Sequence, residues 1–321
     1  MKRRMALATL AAAGLAHPSL AQAEWPNRSL RMVIPFAPGG GADRVGRMVA
    51  EPLARALGQP VVVENRPGGG GTVAAHHVAT SPADGYTLFY GTPGQLTTLP
   101  SMMSNLPYDA QRDFAPVSLL IRSAYGIGVN LGVPARDLPE LIALARAQTG
   151  RLAYATAGVG SGPHLAGELL KFMARIDITH IAYRGSALAV QDVMAGQVPI
   201  SIDSLDLVGP PIRDGRIRGL AVTSLSPQRS LPGLPPVAQT VPGYEVTVFN
   251  YLAMRAGTPD PIVQRLSREV QAIVREPTFI ERNRQLGADA EGSTPDELGR
   301  IWREEFAKWR EVITRAGIRV E

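Results

Sequence analysis

Apolar residues fall in short runs that alternate with stretches of helical period, and nearly every run stops at glycine or proline. Leu30-Arg31-Met32-Val33-Ile34-Pro35-Phe36 predicts a strand; it ends at Pro38-Gly39-Gly40-Gly41, and Asp43 opens a helical pattern through Val45, Met48, Val49, Leu53 and Leu57. The unit repeats at Val61-Val62-Val63, which passes through Asn65-Arg66-Pro67-Gly68-Gly69-Gly70-Gly71 into a helix-like stretch over 73–78. Thr87-Leu88-Phe89-Tyr90 is a third strand, closed by Gly91-Thr92-Pro93-Gly94. Further on, strands are predicted at 125–129, 152–157, 178–183, 198–202 and 217–223. Helices are predicted at 139–148, 165–173, 188–195 and 208–214, the first capped by Asp137 with Glu140 completing a capping box. An extended run over 246–254 is followed by amphipathic helices at 261–275, 277–286 and 295–316. In the last helix Leu298, Ile301, Trp302, Phe306, Trp309 and Ile313 recur close to every 3.6 residues, the mark of a packing stripe.

Strands alternating with helices predict an α/β fold with mostly parallel sheets flanked by helices. Residues 118–129 and 246–254 are each long enough to cross between two lobes. The predicted division is 24–124 with 245–321 as one lobe and 125–244 as the other, with a cleft between them.

Composition narrows the chemistry. The 321 residues contain no cysteine, which removes disulfide scaffolds, thiolate metal sites, cysteine nucleophiles and a lipoprotein anchor. Lys2-Arg3-Arg4, the apolar run from Met5 to Ala16 and Ala21-Gln22-Ala23 read as an export signal cleaved after Ala23, which places the mature chain in the periplasm. That apolar run is too short to span a bilayer. The signal takes three of the 33 basic residues and none of the 28 acidic ones, leaving a mature balance of +2. Only Lys171 and Lys308 remain as lysines and the arginines are scattered, so no nucleic-acid footprint exists.

Gly-rich turns between strand and helix suit an anion, because they offer backbone N–H groups at the positive end of a helix with no Cβ in the way. One such turn lies in each lobe. Gly39-Gly40-Gly41-Ala42-Asp43-Arg44 and Gly158-Val159-Gly160-Ser161-Gly162-Pro163 both fail G-x-G-x-x-G at the last position, and neither is followed by a Walker lysine. A small organic anion fits where a nucleotide does not; tight-turn closure alone is the plainer use of these glycines. Ser161 and His164 do not form a nucleophile elbow, since Val159 stands where G-x-S-x-G needs glycine, and they read better as an N-cap and a first-turn residue. His76 and His77 are adjacent and belong to no H-E-x-x-H, so no metal site is expected. Arg184, in Tyr183-Arg184-Gly185-Ser186, could fork onto a carboxylate or simply face solvent. Asp203, at the end of a strand, could accept from a ligand ammonium or hydroxyl, or cap a turn.

Many ordered blocks carry a family resemblance: Arg31 to Asp43; Leu57-Gly58-Gln59-Pro60 to Gly68; Asp84-Gly85-Tyr86-Thr87-Leu88; Leu106-Pro107-Tyr108-Asp109; Asp113 to Ser118; Gly158 to Ser161; Tyr183 to Ser186; and Gly257-Thr258-Pro259. Over nearly all of the mature chain they resemble the Bug-type extracytoplasmic solute receptors of tripartite tricarboxylate transporters. The resemblance implies a two-lobed periplasmic-binding-protein fold of type II character that closes on a small organic carboxylate and delivers it to membrane permease subunits; a monomer is expected because hinge closure needs no partner, and no cofactor because the sequence carries no cofactor signature. It implies that the ligand meets Phe36, Gly39, Gly40, Gly41, Ala42 and Asp43 on one side and Ala157, Gly158, Gly160, Ser161 and His164 on the other. Thr92, Tyr183, Arg184, Gly185, Ser186, Asp203 and Phe249 would complete the cleft. The chain departs from the family at Phe249, Tyr251 and Arg255, where Trp, Gly and Pro are usual. An exported sensor for a signalling partner shares these features, and an exported hydrolase built on Ser161 and His164 is the enzyme alternative.

Overall fold

A computed structural model describes residues 25–183 and 185–317; the expected export signal, its expected cleavage site and Arg184 lie outside the described residues. The chain begins β1 (Leu30–Ile34), α1 (Gly41–Leu57), β2 (Val61–Asn65), α2 (Thr72–Ala79), β3 (Thr87–Gly91) and α3 (Leu99–Met102). It continues through β4 (Phe114–Asn130), α4 (Leu138–Ala147), β5 (Ala153–Thr156), α5 (Gly162–Ala174), β6 (Thr179–Ala182), α6 (Ser186–Met194), β7 (Ile200–Ser204), α7 (Leu205–Arg213) and β8 (Ile217–Val222). It closes with β9 (Thr247–Arg255), α8 (Asp260–Val274), α9 (Pro277–Gln285), β10 (Ala288–Ala290) and α10 (Pro295–Ala316).

The sheet runs β2-β1-β3-β9-β4-β7-β5-β6, with β8 and β10 also pairing with β4. Each end has three parallel strands, β2-β1-β3 and β7-β5-β6, as the βα alternation requires. The crossing strands add antiparallel pairs: β9 with β3, and β4 with β9, β7 and β8. The fold is thus α/β and two-lobed, with a curled sheet covered by helices. β4 is one 17-residue strand. Its residues up to Ala124 pair with β9, and those from Tyr125 on pair with β7 and β8.

Alternation along β1 shows how the first sheet is packed. Met32 and Ile34 face α1 and α8 with Val49, Leu53 and Leu266, while Val33 turns to the opposite face with Phe89, Phe249, Tyr251 and Trp302. Each fully buried side chain of this size contributes about 2 kcal/mol of transfer free energy. At the other end Ile127, Tyr154 and Ile200 pack against α4 and α5, which contribute Leu141 and Leu169. α10 touches both assemblies: Leu298 and Trp302 pack on the first, Trp309 and Ile313 on the second.

Local rules hold with one adjustment. Asp137 caps α4 by accepting from Glu140 N at 2.8 Å, but Glu140 reaches back past the cap to Arg136 N, so the expected capping box is incomplete. The complete box is at α10, where Thr294 and Glu297 satisfy each other's backbone N–H.

Candidate functional site

The C-terminal ends of β1 and β3 at one end of the sheet, and of β5 and β7 at the other, border one cleft of about 860 Å³, a size typical of small-molecule sites. Ligands of open parallel sheets bind outside these strand ends.

Phe36, Gly40, Gly41 and Ala42 form the first wall. α1 starts there with extended Gly40 as N-cap and no side-chain cap, so first-turn N–H groups that helix geometry leaves without partners stand at the cleft. Gly39 supplies the turn at φ +83°, a conformation that favours glycine. Asp43 holds the turn from behind: its carboxylate accepts from Gly39 N at 2.9 Å, Arg47 Nε at 3.1 Å and Asn65 Nδ2 at 3.0 Å. The Arg47 guanidinium holds the Asp43 carboxyl below the usual carboxylate range. Asn65 also donates to Phe36 O, so the second Gly-rich segment braces the first.

Ala157, Gly158, Gly160 and Ser161 form the facing wall. This loop is closed on itself. Gly158 N donates to Thr156 Oγ1 at 3.2 Å and Gly160 N to His164 Nδ1 at 3.1 Å. Ser161 Oγ donates to Gly158 O at 2.7 Å and receives His164 N, capping α5. The His164 ring stacks on His180 at 3.9 Å between centroids. Burial lowers both imidazole pKa values, that of His180 to about 4. Ser161 and His164 share no side chain to side chain hydrogen bond, which leaves the serine without a base.

Thr92, Ser186 and Asp203 complete the gathering of expected residues at the cleft. Asp203 is 1% exposed. Its Oδ1 accepts from Ser204 N at 2.8 Å, and Oδ2 has no partner among the described residues. Burial pushes its carboxyl pKa up; Ser186 and Ser204 oppose the shift, although the Ser186 hydroxyl makes no bond of normal geometry to Oδ2.

Gly39, Asp43, His164, Tyr183, Gly185 and Phe249 are expected residues that do not line this cleft. Tyr183 donates to Asp192 Oδ2 at 2.7 Å, Gly185 at φ +131° is the N-cap of α6, and Phe249 is fully buried in the core beside Tyr251. Arg184 is outside the described residues.

The sequence reading missed several lining residues. Gly69 and Gly70 belong to that second Gly-rich segment, between Asn65 and α2, tied down by Gln95, whose Nε2 donates to Gly70 O while its Oε1 receives Thr92 N. That turn carried the same glycine signal as the other two. Tyr125, Val248, Asn250 and Trp309 come from crossing elements whose apolar pattern signals only packing. Among the described lining residues there is no Lys, Arg or His, and Asp203 is the one carboxylate. The cleft therefore presents backbone dipoles on one side and a buried acid on another, with apolar surface between.

The family model "Tripartite tricarboxylate transporter family receptor" matches residues 45–318. The chain belongs to that family. This receptor is 33% identical to protein BugT of Bordetella pertussis, over 97% of its own length and 96% of BugT. Among solved structures it resembles Rpa4515 of R. palustris with adipate, at TM-score 0.80 and 36% identity over 92% of this chain and 99% of that one. It also resembles MatC of Rhodopseudomonas palustris with bound malate, at TM-score 0.75 and 30% identity over 90% and 100%. The family is one of periplasmic solute receptors, not enzymes. No described helix is long and apolar enough to cross a membrane.

Proposed function

We propose that this receptor captures a small organic carboxylate between lobes formed by 24–124 with 245–321 and by 125–244, and hands it to the permease subunits of a tripartite tricarboxylate-type transporter. The observation that carries the reading is the uncapped N-terminus of α1, with Gly40, Gly41 and Ala42 at a cleft that holds no described cation. A carboxylate there takes the open N–H groups of the first turn and the positive end of a 17-residue helix. The adipate and malate held by Rpa4515 and MatC support this ligand class. Closure would bring the loop before α5 onto the other end of the ligand and change the face shown to the permease. Export through cleavage after Ala23 puts this cycle in the periplasm, with the monomer as the working unit and no cofactor.

The test is a thermal-shift screen of the mature chain, refolded once to strip endogenous ligand, against di- and tricarboxylates, acidic amino acids and aromatic carboxylates. A ligand at a thousandfold excess over Kd stabilises by about 4 kcal/mol, a shift that is plain to see. Stabilisation by at least one carboxylate is expected. No shift with any of them overturns the reading.

A further inference from the structure

Asp203 is an anomaly in a cleft proposed to hold an anion. It ends β7, is 1% exposed, and lines the cavity. Oδ1 is satisfied by the N–H and hydroxyl of Ser204, at 2.8 and 3.4 Å, whereas Oδ2 is buried and makes no hydrogen bond of normal geometry among the described residues, the nearby Ser186 hydroxyl included. Leaving a buried polar oxygen unsatisfied is costly, and the rest of this wall shows no such tolerance: Gly158 N, Gly160 N and Ser161 Oγ all have partners. A ligand bringing only carboxylate oxygens would set acceptor against acceptor at Oδ2.

A second orphan faces the same cavity. Asn250, on β9, is 7% exposed; its amide nitrogen donates to the buried Tyr90 hydroxyl, and Oδ1 has no partner. Two polar side chains of the cavity lining, more than nine-tenths buried and on different strands, thus each carry one unpaired oxygen. Between them the lining is apolar, with Leu99, Met103, Val248 and Trp309.

Resting on the carboxylate-receptor reading, we propose that the ligand this cleft is built for carries a hydrogen-bond donor, an ammonium or a hydroxyl, in addition to its carboxylate, and that Asp203 Oδ2 receives it. The carboxylate takes the open turn of α1, the donor group satisfies Asp203, and the ligand's carbon skeleton lies against the apolar surface. Amino acids and hydroxy acids are the substrate class, ahead of unsubstituted dicarboxylates.

Isothermal titration of the refolded mature chain with matched acids tests this: succinate against malate and aspartate, adipate against 2-aminoadipate, and 3-phenylpropanoate against 3-phenyllactate and phenylalanine. In at least one series the donor-bearing member should bind tenfold or more tightly than its plain counterpart, and Asp203→Asn should shrink an ammonium preference to threefold or less. Plain acids that bind as tightly as their substituted counterparts, or more tightly with proton uptake, overturn the assignment and leave the receptor reading standing. A preference undiminished in Asp203→Asn removes Asp203 from the recognition. Binding of none of the acids overturns both readings. Should the variant fail to fold, the wild-type series decides alone.

Discussion

The turn before α1 and the turn before α5 are built from nearly the same residues and end in different states. Both follow a parallel strand, both are rich in glycine, and both open a helix at the cleft. Before α1 the stabilising contacts lie behind the turn, through Asp43, Arg47 and Asn65, and the helix start is left uncapped. Before α5 the contacts lie within the turn: Ser161 caps the helix and His164 takes Gly160 N. Two glycine-rich turns that differ at the N-cap, Gly40 against Ser161, therefore end as one with donors to spare and one that has largely used its own. The first is suited to holding charge, the second to being a firm surface against which a closed ligand rests.

The widest separation should come from Asp43→Ala. It removes three hydrogen bonds to a buried carboxylate, each charge-assisted bond contributing up to about 2 kcal/mol. A thermal melt should show a loss of roughly 2–3 kcal/mol, and titration a fall in carboxylate affinity beyond tenfold. Gly41→Ala should act on affinity alone. An added Cβ meets no atom within 4 Å and the position lines the cleft, so the melting temperature should hold while the methyl weakens binding about tenfold. His164→Ala should do the reverse, since it orphans Gly160 N at a cost of about 1–2 kcal/mol while changing affinity only a few-fold. An affinity loss in His164→Ala as large as in Gly41→Ala would break the contrast between the turns.

The smallest effect is on pH. His164 and His180 have lowered pKa values in the folded chain, so the unfolded chain binds more protons once the pH falls below the ordinary histidine value of 6.5. Stability should be full above that value and decline as pH drops toward about 4, the folded value of His180. Lys171 adds to the lowering and Glu168 opposes it. Melts between pH 7.5 and 4.5 should show this slope, and His180→Phe should flatten it.

Most of the fold was legible because strand and helix periods are local properties. The predicted bounds of α8, α9 and α10 fall within a residue of the observed ones, where apolar spacing and proline starts agree. β10 was missed, being three residues long and paired only through its contact with β4. At the cleft, the two Gly-rich turns could be read because their chemistry is written in consecutive residues. Sequence marks that a polar residue follows the glycines and not which way it faces, so the turn contacts of Asp43 and His164 could not be read from it. Trp309 illustrates the converse: its period marks a packing residue, and the crossing of α10 over both assemblies also brings it to the cleft. Asn250 and Tyr125 depend on strand register across 129 and 79 residues, Asn250 against Ile121 and Tyr125 against Ser204, which no local pattern encodes.

β4 is hydrogen-bonded to β9 through Ala124 and to β7 and β8 from Tyr125 onward, so one uninterrupted strand is a structural member of both lobes. Cutting the chain between Ala124 and Tyr125 would leave each half of β4 its own ladder partners but would part α10 from the second core, where Trp309 and Ile313 pack, and so expose apolar surface on both pieces. Dissection should therefore give aggregates in place of half-receptors, and heat should melt the two lobes together.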